Sequence, residues 1–183
     1  MARTIRPITP EYMTPALDLI FESFSDWIDE NEGTLVRRLA QEIRSMDTYL
    51  PELEIICTDD DGTLLGHCMF SRFHLGGKFT DELLILTPVC VKPGFQRQHI
   101  SRDMIEFGIA RAREMGFAAC IVEGNPDNYH SRGFVTAAEH GILPGKTVQL
   151  PDIRCLMAME LVPGAFEWIN GEVEYDCYKT LSE

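Results

Sequence analysis

Nine residues in a row, Leu83-Leu84-Ile85-Leu86-Thr87-Pro88-Val89-Cys90-Val91, carry no charge and show no apolar–polar alternation. A strand of that kind must be covered on both faces, since a face open to water would place polar residues at every second position. The chain is therefore committed to a sheet with helices packed on it. The run continues into Lys92-Pro93-Gly94-Phe95-Gln96-Arg97-Gln98-His99-Ile100-Ser101, a tight loop feeding a helix expected over about residues 98–115, with Gly116 as its C-cap. The first amides of such a helix have no partner within it, and the helix dipole adds positive potential. A diphosphate suits that end of a helix, and Arg97 and Gln98 add side-chain donors. An ordinary strand-to-helix crossover has the same outline, so shape alone leaves both readings open.

The rest of the chain reads as an alternation of helices and strands. Residues 5–8 form a first strand. Thr9 is then the expected cap of helix one, with Pro10 at its first position and Glu11 behind it. Leu17, Ile20, Phe21 and Phe24 carry that helix to about Phe24. A second helix from about Thr34 places Leu35, Leu39 and Ile43 on one stripe. Residues 53–58 and 64–73 read as strands joined by the turn Asp59-Asp60-Asp61-Gly62. Residues 118–123 form another buried strand, 125–132 a short helical turn, and 134–136 and 155–161 the late strands. The order is βααβββαβαββ, an α/β (α+β) fold with a mixed sheet flanked by helices. No repeat or linker interrupts it. One domain over 1–183 is expected, with a core of about 3–162 and a C-terminal extension of 163–183.

Composition removes several functions. The 183 residues are 45% hydrophobic, enough for a core without disulfides or metals. The six cysteines have no CxxC pair; Cys57, Cys68, Cys90 and Cys120 lie in apolar strand-like runs and read as reduced packing residues. No apolar run approaches a membrane span, and the first residues carry no signal-peptide core, which leads to a cytoplasmic expectation. A net charge of −13 argues against nucleic acid or anionic membrane as partners and is compatible with a cationic one.

The loop has relatives. Val91, Pro93, Gln96 and Ile100 fit the pattern V-x-P-x-x-(Q/R)-x-x-G-x-(G/A), and the segment resembles motif A of the GNAT N-acetyltransferases. The preceding Leu86-Thr87-Pro88-Val89, the stretch Ala110-Arg111-Ala112-Arg113-Glu114, and Gly124-Asn125-Pro126 followed by Tyr129 and Gly133-Phe134 are similar to the YhbS-like branch of that family. So is Met157-Ala158-Met159-Glu160-Leu161-Val162-Pro163-Gly164. The resemblance implies an acyl-CoA-dependent N-acyltransferase with acetyl-CoA as co-substrate. It also implies that Val89, Cys90, Val91, Gln96, Arg97, Gln98, His99, Ile100, Ser101 and Asn125 bind the coenzyme. The amide of Val89 or Val91 is the implied oxyanion donor, and a splay at Pro88 the implied seat of the pantetheine arm. The chain departs from the pattern at two places: His99 and Ser101 stand where the family has Gly, then Gly or Ala. A ring turned outward at His99 leaves the amides usable, whereas one turned inward obstructs them.

Transfer to an amine needs a proton donor for the leaving thiolate and an acceptor for the amine's proton. Tyr129 holds the position of the family's tyrosine acid; a phenol of pKa about 10 can donate to a thiolate of parent pKa about 8.5. Its neighbour His130 reads as a surface or rim residue. Glu123 closes an apolar strand, and partial burial there would raise its pKa toward use as a base. Asp81, Glu82 and a water chain remain alternatives. Residues 25–32 read as an acidic loop around Trp27, either a cation-attracting wall of the acceptor pocket or a solvated loop with Trp27 packed inward. The acceptor would be a small-molecule or peptide amine. The aromatic tail at 166–178 leaves open both a cover for the sheet and a homodimer contact. The loss of the motif glycines also leaves a second function open: a GNAT-fold module that binds a small molecule or protein without catalysis.

Overall fold

The computed structural model describes residues 2–183, and the chain divides into two units. The first takes the chain up to Phe70, then Thr87–Arg111 and Tyr178–Glu183. Its sheet begins with β1 (Arg3–Pro7) antiparallel to β2 (Glu54–Asp59), in a register running from Arg3 opposite Asp59 to Pro7 opposite Ile55. Next comes β3 (Leu64–Arg72), antiparallel to β2 with Ile56 opposite His67. The later part of β4 (Leu83–Val91) also belongs to this unit. The helices are α1 (Met13–Trp27), α2 (Glu30–Arg44) and α3 (Ile100–Glu114).

Three local expectations need correction here. Thr9 makes no side-chain cap; a 3-10 turn over Pro10–Tyr12 leads into α1 instead. The second helix starts four residues before Thr34, because Asp29 is its cap and accepts from the Glu32 amide at 2.9 Å. Its buried stripe is Val36, Leu39, Ala40 and Ile43, with Leu35 only half-buried. Residues 25–32 are therefore not a loop: all but Ile28 and Asp29 belong to the two helices. The end of α3 follows expectation, with Gly116 at φ 90°, a left-handed turn that only glycine adopts without strain.

A buried ion cluster lies on one face of the first unit's sheet. The register sets Glu54 and His67 diagonally on the same face. Fully buried Glu54 accepts from Arg44 Nε at 3.1 Å and Nη2 at 2.5 Å and from the Tyr49 hydroxyl, while His67 Nε2 lies 2.8 Å away. Burial pushes this carboxyl up, but His67, Arg44 and Tyr49 more than reverse the effect and hold it down to about 2. The same carboxylate, after burial, keeps the Tyr49 phenol protonated far above its ordinary value.

The second unit takes Ser71–Leu86 and Ala112–Cys177. Here the early part of β4 runs parallel to β5 (Ala119–Glu123), pairing Leu83 with Ala119, Leu84 with Cys120 and Ile85 with Ile121. The paired stretch ends there, while β4 runs on to Val91 through a cis Thr87–Pro88 bond. On the other side of β5 lies antiparallel β8 (Leu156–Glu160), and beyond it β6 (Val135–Thr136). The short α4 spans Pro126–His130. Two strands were not foreseen from sequence: β7 (Ile142–Pro144) and β9 (Gly171–Val173), which form a separate parallel pair. The late strand is also shorter than expected, since Cys155 belongs to a 3-10 turn and Leu161 lies outside.

Part of the tail packs within the chain. Ile169 and Val173 are fully buried. Beyond them, Glu42 of α2 accepts from the amides of Lys179 and Thr180 at 2.6 and 2.9 Å. No disulfide forms among the described residues, and Cys57, Cys68, Cys90 and Cys120 pack inside the strands as their apolar settings imply. No helix among the described residues is long and apolar enough to cross a membrane.

Candidate functional site

In the first unit the loop after β4 has a backbone ordinarily built on glycine. Gly94 sits at φ 85°, Arg97 at φ 61° and His99 at φ 64°, while Gln98 between the last two is not left-handed. Alternating hand at successive residues turns neighbouring amides toward one side, the geometry of an anion-binding nest. Each non-glycine left-handed residue costs roughly 1 kcal/mol. At the start of α3 the Asp103 amide donates to the His99 carbonyl at 2.9 Å. The amides of the first turn precede it, as helix geometry requires.

The side chains divide into two groups. Arg97, Gln98 and His99 are exposed, so the His99 imidazole faces water rather than the core. Ile100 is buried against Gly66, and Cys90 is buried too, so both reach a ligand only through backbone. Gln96 braces the loop: its Oε1 accepts from the Gly94 amide at 2.8 Å. Val89 and Val91 are half-buried, and the Val91 carbonyl accepts from Ser23 Oγ at 3.2 Å. Ser101 is half-buried on the first turn of α3. Asp103 in that turn would repel an anion, but Arg102 pairs with it at 3.1 Å and offsets the charge.

In the second unit, α4 is capped by Asn125, whose side chain accepts from the Asp127 amide at 2.9 Å. Half-buried Tyr129 lies with its ring edge-on to Phe134, centroids 5.7 Å apart at 85°, and Arg132 5.4 Å from its centroid. The ring also lies over Gly124, where an added Cβ would come within 2.5 Å of Tyr129 Cε2. Glycine is required there by the close approach. Gly124→Ala should therefore cost about 1–3 kcal/mol by overpacking, read as a lowered midpoint in urea. A variant as stable as the parent would mean that the ring is free to move.

Glu123 departs from the sequence reading. It is exposed rather than partly buried, because it is the last residue of β5 and the first to leave the sheet's cover. It accepts from the Tyr175 hydroxyl at 2.7 Å. Nothing in the tail's sequence marks which strand end Tyr175 meets. His130 is exposed, its ring 3.5 Å from Thr136 Oγ1, as a surface residue should be. Asp81 is an exposed partner of Arg72 at 3.0 Å, ahead of the start of β4.

Trp27 is also unlike the packed-inward reading: it is 75% exposed, beside Ile28 at 54%. Of the surrounding acids, Asp29 serves as the α2 cap and Glu30 and Glu32 sit in its first turn, where a helix dipole favours carboxylates without any ligand.

Comparison with known proteins follows the same lines. The sequence model of the Acetyltransferase (GNAT) family matches residues 11–139. The uncharacterized N-acetyltransferase YhbS of Escherichia coli strain K12 is 27% identical over 152 residues, 79% of this chain and 83% of its own length. A crystal structure of YhbS from Escherichia coli in complex with CoA superposes with a TM-score of 0.84 at 23% identity, covering 99% of this chain and 92% of that one. A GNAT family acetyltransferase from Brucella melitensis in complex with acetyl-CoA gives 0.72 at 22% identity, covering 95% and 96%.

Proposed function

This chain belongs to the GNAT acetyltransferase family, and on that premise we propose that it transfers an acetyl group from acetyl-CoA to an amine by direct attack in a ternary complex. The observation that carries the proposal is the backbone at residues 97–99, which keeps a nest's alternating hand where glycine is absent. Such a loop ahead of a helix fits a diphosphate whether or not its side chains take part. The amides from Gln98 to Ser101 would hold that group, with Arg97 and Gln98 as exposed side-chain donors and His99 leaving the loop open. Val89, Cys90 and Val91 would contribute backbone along β4, and Asn125 would line the coenzyme from the start of α4. When bound, acetyl-CoA supplies an activated thioester.

The remaining roles fall to this chain's own groups. The amide of Val89 or Val91 donates to the developing oxyanion. Tyr129 holds a proton at its hydroxyl for the departing sulfur. Glu123, tethered by Tyr175, takes the amine's proton. No covalent enzyme intermediate is needed, and the cysteines are poorly suited to one. Burial pushes the Cys90 thiol up to about 12 and raises Cys120 as well, so neither offers a thiolate near neutrality. The acceptor is a small-molecule or peptide amine, to which the net charge of −13 is favourable. We read residues 1–183 as one such domain acting in the cytoplasm.

Calorimetry with acetyl-CoA tests the reading. A Kd on the order of micromolar is expected, followed by thiol release with some member of a panel of amines. Absence of binding at millimolar coenzyme would abandon the transferase in favour of a non-catalytic binding module.

A further inference from the structure

Two left-handed residues without glycine need an external reason to stay so. Among the described residues, a single side chain from elsewhere in the sequence grips the residue between them. Arg3, 95 positions earlier, donates from Nη1 to the Gln98 carbonyl at 2.8 Å and from Nη2 to Gln98 Oε1 at 2.5 Å. The guanidinium is a planar fork, so two parallel bonds fix a direction as well as a distance. Arg3 is itself held, as the first residue of β1 and opposite Asp59 in a ladder that runs on to Pro7.

The consequence follows from peptide geometry. The Gln98 carbonyl and the His99 amide belong to one planar trans unit and point in opposite directions. A carbonyl drawn toward Arg3 therefore turns the His99 N–H to the other side. We propose that Arg3 is a positioning residue for the diphosphate loop, orienting the His99 amide by tethering the Gln98 carbonyl, in place of the conformational freedom that glycine would give. The inference rests on the coenzyme reading above and adds to it a residue outside the loop. Arg3 acts through Gln98, and its own charge is not the agent.

The test compares wild type, Arg3→Ala, Arg3→Lys and the double variant Arg3→Ala/His99→Gly, by calorimetry with coenzyme A and by steady-state kinetics with acetyl-CoA. Loss of the tether should raise Kd and KM about tenfold while kcat stays within about twofold. Arg3→Lys, which keeps the charge but not the fork, should also bind more weakly than wild type. The double variant should recover most of the affinity, because glycine adopts the left-handed turn unaided. Recovery without a cation at position 3 separates positioning from direct charge attraction. Should Arg3→Ala melt too early to assay, Arg3→Gln keeps most of the side chain's length without the fork and should weaken binding about threefold. If wild type binds and Arg3→Ala binds equally well, or if the double variant is no better than Arg3→Ala, the inference is wrong. If wild type does not bind coenzyme A, the transferase reading falls and this inference with it.

Discussion

Tyr129→Phe should lower turnover roughly 100-fold or more, the usual loss when a positioned general acid is removed, while the Kd for acetyl-CoA stays within about twofold. The separation is expected because the substitution takes one oxygen and leaves the ring. That ring is set by its edge-on contact with Phe134, by Arg132 and by the close approach over Gly124, all of which survive in phenylalanine. Its backbone is equally secured: the Tyr129 carbonyl accepts from the amides of Arg132 and Phe134 at 3.0 and 3.2 Å. A phenyl group in the same place therefore tests proton donation rather than shape. Pre-steady-state thiol release and coenzyme calorimetry on the same preparation decide the matter. Equal losses in rate and affinity would assign Tyr129 to binding, and an unchanged rate would send the proton donor elsewhere.

Glu54→Leu is the substitution expected to damage the fold most. It leaves His67, Arg44 and Tyr49 facing a hydrocarbon side chain, with the imidazole fully buried and Nδ1 already without a hydrogen-bond partner. Removing one member of a buried, hydrogen-bonded ion cluster costs about 3–5 kcal/mol, or on the order of 10 °C in melting temperature for a chain of this size. The cluster also sets an acid limit. Glu54 has a folded pKa of about 2 against an ordinary 4.5. A depressed carboxylate contributes stability that is fully present above 4.5 and is lost as pH falls toward 2. The contribution is on the order of 3 kcal/mol. Urea midpoints taken at pH 6, 4 and 3 should fall more steeply in wild type than in Glu54→Gln. Parallel pH profiles, or a leucine variant that melts with wild type, would show that the cluster contributes little.

The parts of the fold that could be read from sequence share a property: the residues that encode them are also the residues that enforce them. Leu83–Val91 is a strand because its side chains are uncharged and all but Thr87 are apolar, and its bounds in the structure are those the sequence implies. Gly116 ends α3 because no side chain obstructs its left-handed turn. The helical turn bearing Tyr129 follows from Asn125 and Pro126, a cap and a first residue side by side. Errors arose where one residue type serves two purposes. Asp29 reads in sequence as part of an acidic loop, yet its carboxylate is bound to the start of α2. Four apolar residues before Glu123 imply partial burial, but a strand's last position depends on what covers its end, and Glu123 is exposed.

The sequence alone determined the family, the order of the main elements and the segment proposed to meet the coenzyme, because periodicity, capping residues and loop composition are local and act within a few positions. It marked His99 as a departure from a glycine pattern without deciding its effect. That decision belonged to the tertiary structure, which holds His99 at φ 64° with its ring in solvent. The same structure sets Arg3 against Gln98, Tyr175 against Glu123 and Glu54 among His67, Arg44 and Tyr49. These contacts join residues whose individual preferences are compatible with many neighbours. Packing of the whole chain chooses among those neighbours, since each contact is stable only once the strands and helices that carry it are already in place.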